Sequence, residues 1–387
     1  MTLKDDDSYN LRKLFEEIEL DLIKIMKRTF KRHIAEQEKE GFKWEQWQGA
    51  LLRNIQGYHN QNKQIVNSSS KEIEEAVNTS LKDNFNKGEA AFDEALSKTE
   101  TNFLKKKHVY LPKNFSDYKT KYTPRENSFF GVNEKKLEAM QQSVNNDLKK
   151  GQHAILRRMN DVYRQIIFKS EIHMTSGAKT LDQAVDMATK EFLLKGIDCI
   201  EYKDGKRVNI ASYAEMAIRT ASHRATLLGE GKKRDEWGIH TVVVSAHANT
   251  CPKCEKWQGE VLIDDVFSSG TMNEALENKH YLLSFAIEAG LLHPNCRHSV
   301  STYFPDITQQ PTIPDGKEAV KKYEAEQKQR ATERGIKKWK RIAEGSQDSD
   351  NINYANGKVR EYQDRLREHL KEHSYLRRDY TREKTRR

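Results

Sequence analysis

Leu11, Leu14, Phe15, Ile18, Leu22, Ile25, Met26 and Phe30 recur at steps of three and four residues. That period places them on one stripe of a long helix, with Glu16, Glu17, Lys24 and Lys27 turned outward. Gly41 is expected to end the helix. A second helical run carries Trp44, Trp47, Leu51, Leu52 and Ile55. The Asn/Gln/Ser-rich stretch 61–71 reads as a loop or hinge. Helical character returns over 71–106 with Ile73, Ala76, Val77, Leu81 and Phe85. Core packing accounts for these faces, and no heptad among them is regular enough to set an oligomer state.

The stretch 114–127, with Pro124 and three basic residues, reads as a linker. Over 133–172 the period resumes through Leu137, Met140, Val144, Leu148, Ile155, Leu156, Met159, Val162 and Ile166, although Gly151 weakens it. Another helix is expected over 180–194, with Thr180 as N-cap, Gln183 completing a capping box, and Gly196 ending it. Two short strands flank the Asp204-Gly205 turn, a hairpin signal. Helix is expected again over 211–228, broken by Gly229-Glu-Gly231. His240-Thr-Val-Val-Val-Ser245 is the most strand-like run in the chain. Charged helices follow at 318–342 and 358–382, separated by a Gly/Ser/Asp-rich joint at 345–351. Their sparse apolar positions (Val320, Tyr323, Ile336, Trp339 and Ile342, then Val359, Tyr362, Leu366 and Leu370) allow one narrow seam. The expected fold is predominantly α with a small α+β middle domain. Its segments are a long-helical N-terminal region at 1–120, an α+β core at 121–310 and a basic, charged helical tail at 311–387.

Charge sharpens that division. The 387 residues carry a net +9, and the 77 residues from Pro311 onward hold 21 Lys/Arg against 14 Asp/Glu. The body is therefore nearly neutral and the excess sits at one end, where nucleic acid or an acidic protein surface would be its partner. Acidic residues interleave throughout, so only weak, non-sequence-specific contact with DNA phosphates is expected, fading as salt rises. Arg382, Lys384, Arg386 and Arg387 fit a flexible basic arm. No apolar run reaches the ~18 residues a membrane-spanning helix needs; the best window, 282–292, contains Glu288. The acidic, polar start Met1-Thr-Leu-Lys-Asp-Asp-Asp does not read as a secretory signal.

Four cysteines argue against a disulfide scaffold. Cys199 stands alone and reads as a small buried residue. Cys251-Pro-Lys-Cys254 and His293-Pro-Asn-Cys296 form two ligand-spaced pairs 38 residues apart. Zinc favours such a Cys3His tetrahedron, and two loops joined through one ion make a cross-link that survives a reducing compartment. The gap is longer than in common zinc ribbons, so buried thiols beside a polar turn are the alternative. His298 is an alternative ligand to His293, while His240 and His247 read as strand-end or surface residues. A zinc deaminase reading fails, because His247-Ala-Asn249 lacks the required Glu and Thr250 rather than Pro precedes Cys251. His293-Pro-Asn-Cys-Arg-His298 has a His-Asn-His flavour, but no acidic cluster flanks it to hold the hard cation a nuclease needs. Walker, glycine-rich phosphate-binding and serine-elbow motifs are absent from the sequence.

Several blocks together resemble the phage minor capsid protein 2 family. They are Phe129-Phe-Gly-Val-Asn-Glu-Lys-Lys-Leu-Glu, Asp186-Met-Ala-Thr-Lys, the run Val208-Asn-Ile-Ala-Ser-Tyr-Ala-Glu-Met-Ala-Ile-Arg-Thr-Ala, Gly229-Glu-Gly, His240-Thr-Val-Val-Val-Ser, Cys251-Pro-Lys-Cys-Glu-Lys-Trp-Gln-Gly and His293-Pro-Asn-Cys-Arg-His. More distantly they are similar to head-morphogenesis proteins of the Mu F and SPP1 type. The resemblance covers about 120–310 and extends through the basic tail at 318–384, while residues 1–115 match less clearly. It implies a non-catalytic structural protein of a tailed-phage virion, assembled in the host cytoplasm and present in few copies. The implied partners are the portal or other head proteins, with a role in head morphogenesis and in DNA packaging or ejection; self-association is compatible with it. The family's motif falls on Cys251, Cys254, His293 and Cys296, with Arg297 adjoining. Some relatives end Cys-Arg-Cys where this chain has Cys296-Arg297-His298, which keeps His298 open as the fourth ligand. The competing expectation is a virion-carried metal-dependent DNA nuclease or toxin-like effector.

Overall fold

The computed structural model describes residues 6–40, 44–105, 132–175, 181–202, 204–305 and 307–384. The chain is predominantly helical: α1 (Asp6–Glu40), α2 (Trp44–Arg53), α3 (Ile55–Ser68), α4 (Ser70–Lys105), α5 (Val132–Thr175), α6 (Leu181–Lys195) and α7 (Ile210–Trp237), with α10 (Gly316–Gly345) and α11 (Ser349–Glu372) at the C-terminal end. Between α6 and α7 lies the expected hairpin, β1 (Ile200–Glu201) against β2 (Arg207–Val208), with Gly205 at φ +77° in its turn. A second sheet is built from β3 (Thr241–Val244), β4 (Val261–Ile263), β5 (Tyr281–Leu282) and β6 (Val300–Thr302) in the order β5-β4-β3-β6. The short helices α8 (Met272–Asn278) and α9 (Leu283–Glu288) flank β5.

By spatial grouping the chain forms two compact units, each discontinuous in sequence. One comprises Met1–Glu75, Asn146–Glu215 and Ala325–Arg387; the other comprises Ala76–Asn145 and Met216–Glu324. The three sequential segments expected above are groupings by composition, a different description.

In the first unit, the whole expected stripe of α1 is buried, and so are Leu20 and Ile23. Phe30 and Tyr58 both stack on Tyr163, at centroid distances of 5.2 and 4.2 Å. Glu16 does not face outward as its helical position suggested. It is buried against Lys337 Nζ at 2.6 Å and also accepts from Arg12. Glu19 is buried too, accepting from the Ile197 amide, Asn209 and Arg341. Arg341 also donates to the carbonyls of Leu193 and Leu194, so a cation serves the otherwise unpaired carbonyl end of α6. Lys337 and Arg341 lie more than 300 residues along the chain from Glu16 and Glu19, beyond the reach of periodicity.

The stretch 61–71 is helix rather than hinge, with Ser69 alone between α3 and α4. Tyr58, Asn62, Val66 and Ile73 bury one face through it. The hydroxyls of Ser68 and Ser69 donate back to the Ile65 carbonyl, and that of Ser70 to the Val66 carbonyl. Packing and local hydroxyl bonds override the weak helix propensity of Asn and Ser. The second charged tail helix also shifts. It starts at Ser349, capped by the Asp348 carboxylate, and ends at Glu372. Beyond it, Arg382 lies in a one-turn 3-10 helix (Tyr380–Glu383), paired with Asp379 beside the buried Glu383, and is not part of a loose arm. Gly41, Thr180, the 114–127 linker, Arg386 and Arg387 lie outside the described residues.

In the second unit, Gly229-Glu-Gly231 does not break its helix; α7 continues to Trp237. These glycines permit close approach. A Cβ on Gly229 would lie 2.0 Å from the Phe85 carbonyl oxygen, one on Gly88 2.0 Å from that of Thr226, and one on Gly231 2.0 Å from that of Phe267. α4 and α7 therefore cross backbone to backbone. Gly229→Ala is expected to destabilise the chain by about 2–3 kcal/mol through overpacking, seen as a lower urea midpoint; an unchanged midpoint would contradict this contact. Phe92, Ile239 and Phe304 form a small core cluster in this unit, with Trp237 and Ile307 packed on it.

His240, at the head of β3, sits 3.0 Å from Glu274 and 3.6 Å from Asp235. Burial pushes its imidazole down, but the two carboxylates outweigh that and hold it above its usual value. A raised folded-state value means the contribution is complete below about pH 6.5 and is lost as pH climbs through the shifted value. His240→Gln is accordingly expected to cost about 1 kcal/mol at pH 6 and much less at pH 8, measured by denaturant unfolding at both. An equal cost at the two pH values would contradict the assignment.

Candidate metal centre

Sheet register explains how two loops so far apart in sequence meet. β3 runs antiparallel to both β4 and β6, with Val244 opposite Val300. The chain leaving β3 and the chain entering β6 therefore lie at the same end of the sheet. The Ser245 amide donates to the Ser299 carbonyl at 2.9 Å, and the Ser299 amide to Ser245 Oγ at 3.0 Å. Cys251 and Cys254 come from the β3–β4 connection; His293, Cys296 and His298 come from the segment before β6.

Each loop has its own local reason for its shape. In Cys251-Pro-Lys-Cys254 the amides of Cys254 and Glu255 both donate to the Cys251 carbonyl at 3.1 Å, closing a tight turn that runs into the 3-10 turn Glu255–Trp257. In the second loop the Cys296 amide donates to the His293 carbonyl at 2.8 Å. Gly290, Leu292 and Asn295 all have positive φ, at +104°, +52° and +63°. For Leu292 that conformation is strained by about 1–2 kcal/mol. It persists because Leu291 and Leu292 are both buried, and it aims the neighbouring His293 back at the first loop.

All five candidate ligands come together, but as two overlapping groups and not as one set of four. Cys251, Cys254 and His293 form one triad, and Cys254, Cys296 and His298 the other; within each triad the donor atoms lie within 4.8 Å of one another. Cys254, fully buried, belongs to both. Cys251 Sγ lies 3.2 Å from His293 Nε2, Cys254 Sγ 3.6 Å from Cys296 Sγ, and Cys296 Sγ 3.7 Å from His298 Nδ1. For Zn–S near 2.3 Å and Zn–N near 2.0 Å, a tetrahedron has edges of roughly 3.3–3.8 Å. The nearest contacts, from 3.2 to 3.7 Å, lie close to those edges, so the donor set fits zinc in its chemistry and, within each triad, nearly in its spacing.

Both histidines have an outer partner that orients the ring. His293 Nδ1 donates to the Pro294 carbonyl at 2.9 Å, which leaves Nε2 facing Cys251. His298 is buried, with Nε2 3.2 Å from Thr250 Oγ1 and 3.4 Å from Gln258 Oε1, leaving Nδ1 facing Cys296. Such second bonds fix the tautomer of metal-ligating imidazoles. Gln258 Oε1 also accepts from the His247 amide at 2.6 Å, so the buried Gln258 ties the start of the first loop to His298. Thr250 and Gln258 carry no motif of their own, and nothing in the sequence pointed to them. His247 stacks edge-on against His298 at 4.9 Å and bonds Ser245, beside the triads rather than in them.

The electrostatics are those of sulfurs that cannot all ionise together. The Cys254 thiol contact, then His298, hold the Cys296 thiol far below its usual range despite burial. Cys254 is pushed up by Cys296 first, then by burial and Cys251. Burial raises Cys251, yet contacts with His293 and the amides of Cys254 and Lys253 leave it net lowered. A divalent cation relieves this conflict by stabilising every thiolate at once. The candidate metal groupings here, among the described residues, hold only cysteine and histidine; no carboxylate joins them. Cys199 belongs to the other unit, where burial pushes its thiol up to about 12 and its sulfur faces the Gly151 carbonyl at 3.8 Å.

Among the described residues, no helix is long and apolar enough to cross a membrane. No solved structure matches the chain. A structural protein of Lactococcus phage LL-H is 26% identical over 229 residues, 58% of this chain and 62% of that protein. A structural protein of Lactococcus phage mv4 is 32% identical over 108 residues, 27% of this chain and 88% of that protein. The family model for phage minor capsid protein 2 matches residues 5–371, nearly end to end and through both Cys/His loops. This chain belongs to the phage minor capsid protein 2 family.

Proposed function

We propose that the chain is a non-catalytic component of the phage head, joined to the portal or other head proteins, whose second unit is clasped by a structural zinc. The observation that carries the zinc reading is the convergence of three thiols and two imidazoles at one end of the β3–β6 ladder. Closing the two triads around their shared Cys254 would bring three sulfurs and one imidazole onto a single ion, a full tetrahedron with no open position for a substrate or water. The ion holds the β3–β4 connection to the segment entering β6, and a small sheet bearing short strands gains most from such a cross-link. Thr250 and Gln258 orient His298, and Pro294 orients His293.

Protein partners are favoured over DNA as the main contact. Met272, Leu276, Tyr281 and Phe285 are exposed large apolar side chains on α8, β5 and α9, a composition typical of binding surfaces. The basic end is internally neutralised. Arg330 bridges Glu326 and Glu333, Lys337 pairs with Glu16, Arg341 with Glu19, and Arg378 with the buried Glu383. What remains supports weak, salt-sensitive contact with packaged DNA.

The test combines metal analysis with DNA incubation. Full-length protein purified under reducing conditions is expected to carry stoichiometric zinc and to leave duplex DNA intact in Mg2+ or Mn2+. DNA cleavage that is lost in His298→Ala would overturn the structural reading in favour of a virion-carried nuclease. Purified particles are expected to contain the chain in few copies; its absence from them would contradict a head role.

A further inference from the structure

We propose that the C-terminal end of α11 carries a second divalent-metal site, formed by His369, Glu372 and His373. The sequence His369-Leu-Lys-Glu372-His373 sets the two imidazoles four residues apart and the carboxylate three from the first, all on one helical face. Their donor atoms lie within 4.8 Å of one another, and the two rings are 4.6 Å apart between centroids. This group lies in the first unit and shares no residue with the Cys/His loops of the second.

Each imidazole is already oriented by an outer bond. His369 Nε2 donates to the Ala325 carbonyl at 2.8 Å, which leaves the lone pair on Nδ1. His373 Nδ1 lies 3.3 Å from the Tyr375 hydroxyl, which leaves Nε2 as its outward donor. This is the arrangement that fixes tautomers around bound metals. The site also sits on the last turn of its helix, where the unpaired carbonyls favour a cation. Two imidazoles and a carboxylate select a borderline transition ion such as Zn2+, Co2+ or Ni2+ over Mg2+ or Ca2+. With bonds near 2.0–2.1 Å the donors need to draw in to roughly 3.3 Å of one another, with water completing the shell.

The place of the site gives the ion a job. His373 caps α11, with φ −120° and ψ 70°, and there the chain turns back along α10. Gln329 donates to the Arg377 carbonyl at 2.9 Å, and Lys340 to the Glu383 carbonyl at 2.6 Å. An ion held by His369, Glu372 and His373 fixes the joint from which this returning segment starts.

The test uses full-length, metal-stripped, reduced protein titrated with Co2+. Thiolate ligation gives an intense near-ultraviolet charge-transfer band, whereas a nitrogen/oxygen site adds only weak visible bands. The expected result is an equivalent that adds no charge-transfer intensity. It is lost in His373→Ala and weakened about tenfold or more in Glu372→Gln, with the thiolate band unchanged in both. Zn2+ is also expected to slow trypsin cleavage after Arg377 and Arg378 in the wild type but not in His373→Ala. If the Cys/His centre alone fails, the thiolate band is missing while this equivalent remains, which still supports the proposal. Uptake identical in wild type and His373→Ala, or cleavage indifferent to Zn2+, overturns it.

Discussion

Cys254→Ser is expected to release the zinc proposed for the Cys/His loops and to lower the stability of the second unit by at least about 3 kcal/mol. Cys254 is the one donor common to both triads, so its loss leaves neither intact. A serine oxygen is a hard, neutral, short substitute for a soft thiolate, and at a fully buried position no water can stand in for it. Without the ion, Cys251 is left beside His293 and Cys296 beside His298, with no cation to hold either thiolate. Hydrogen exchange is expected to rise across 240–300, where the two loops meet, and the thermal midpoint to fall. Cys199→Ser is the control: it removes a thiol from the other unit and is expected to cost less than about 1 kcal/mol, because that sulfur makes only a long contact to Gly151. Equal effects of the two substitutions would show that cysteine burial, and not a shared ion, accounts for the first.

The second large effect is expected at Arg234. This guanidinium is completely buried near the end of α7. It donates to Asp264 at 2.8 Å and to Glu230 at 3.2 Å, and Asp264 is itself fully buried. Removing one partner of a buried pair leaves the other charge without compensation, at a cost of about 3–5 kcal/mol. Arg234→Met should therefore destabilise by that amount, measured by denaturant unfolding at pH 7. Asp264 has a further task, accepting from the amides of Val266 and Phe267 through its other oxygen. Asn keeps that acceptor while removing the charge, so Arg234→Met combined with Asp264→Asn should cost clearly less than Arg234→Met alone. A double variant as unstable as the sum of the singles would contradict a charge-compensation account. Burial pushes the neighbouring Glu230 up to about 7 even with Arg234 beside it. Losing that cation removes a stabiliser of its charged form, so the variant's deficit is expected to grow as pH rises from 5 to 8.

The helical architecture was legible wherever one apolar stripe faces one neighbour. The stripe from Leu11 to Phe30 and the strand Thr241–Val244 follow directly from period and β-branching. Pattern failed where a polar or small residue does the packing. Gly229 and Gly231 read as breakers because close backbone approach leaves no trace in a single sequence, only a missing side chain. Glu16 read as solvent-facing because Lys337, which pairs with it, comes from the far end of the chain, as does Arg341, the partner of the buried Glu19. The polar face of the tail was likewise undervalued: Glu326, Gln329, Glu333 and Lys337 are buried in α10, flanking an apolar seam that alone is too narrow.

For the candidate metal centre, the spacing in sequence named the cysteines and both histidines but could not choose between them. The structure keeps that choice chemically open by placing each imidazole against a different cysteine. Thr250 and Gln258 were invisible because orienting a ring requires no motif, only proximity in the fold. The His369–His373 group drew no expectation, because it lies inside a charge-rich helix where such residues usually serve only solubility.

The most direct measurement is X-ray absorption at the zinc edge on full-length protein loaded with a single equivalent of the metal. The expected shell is three sulfurs near 2.3 Å and one nitrogen near 2.0 Å, retained after dialysis and lost in Cys254→Ser. A shell of nitrogen and oxygen only, or no zinc retained by the wild-type chain, would contradict it.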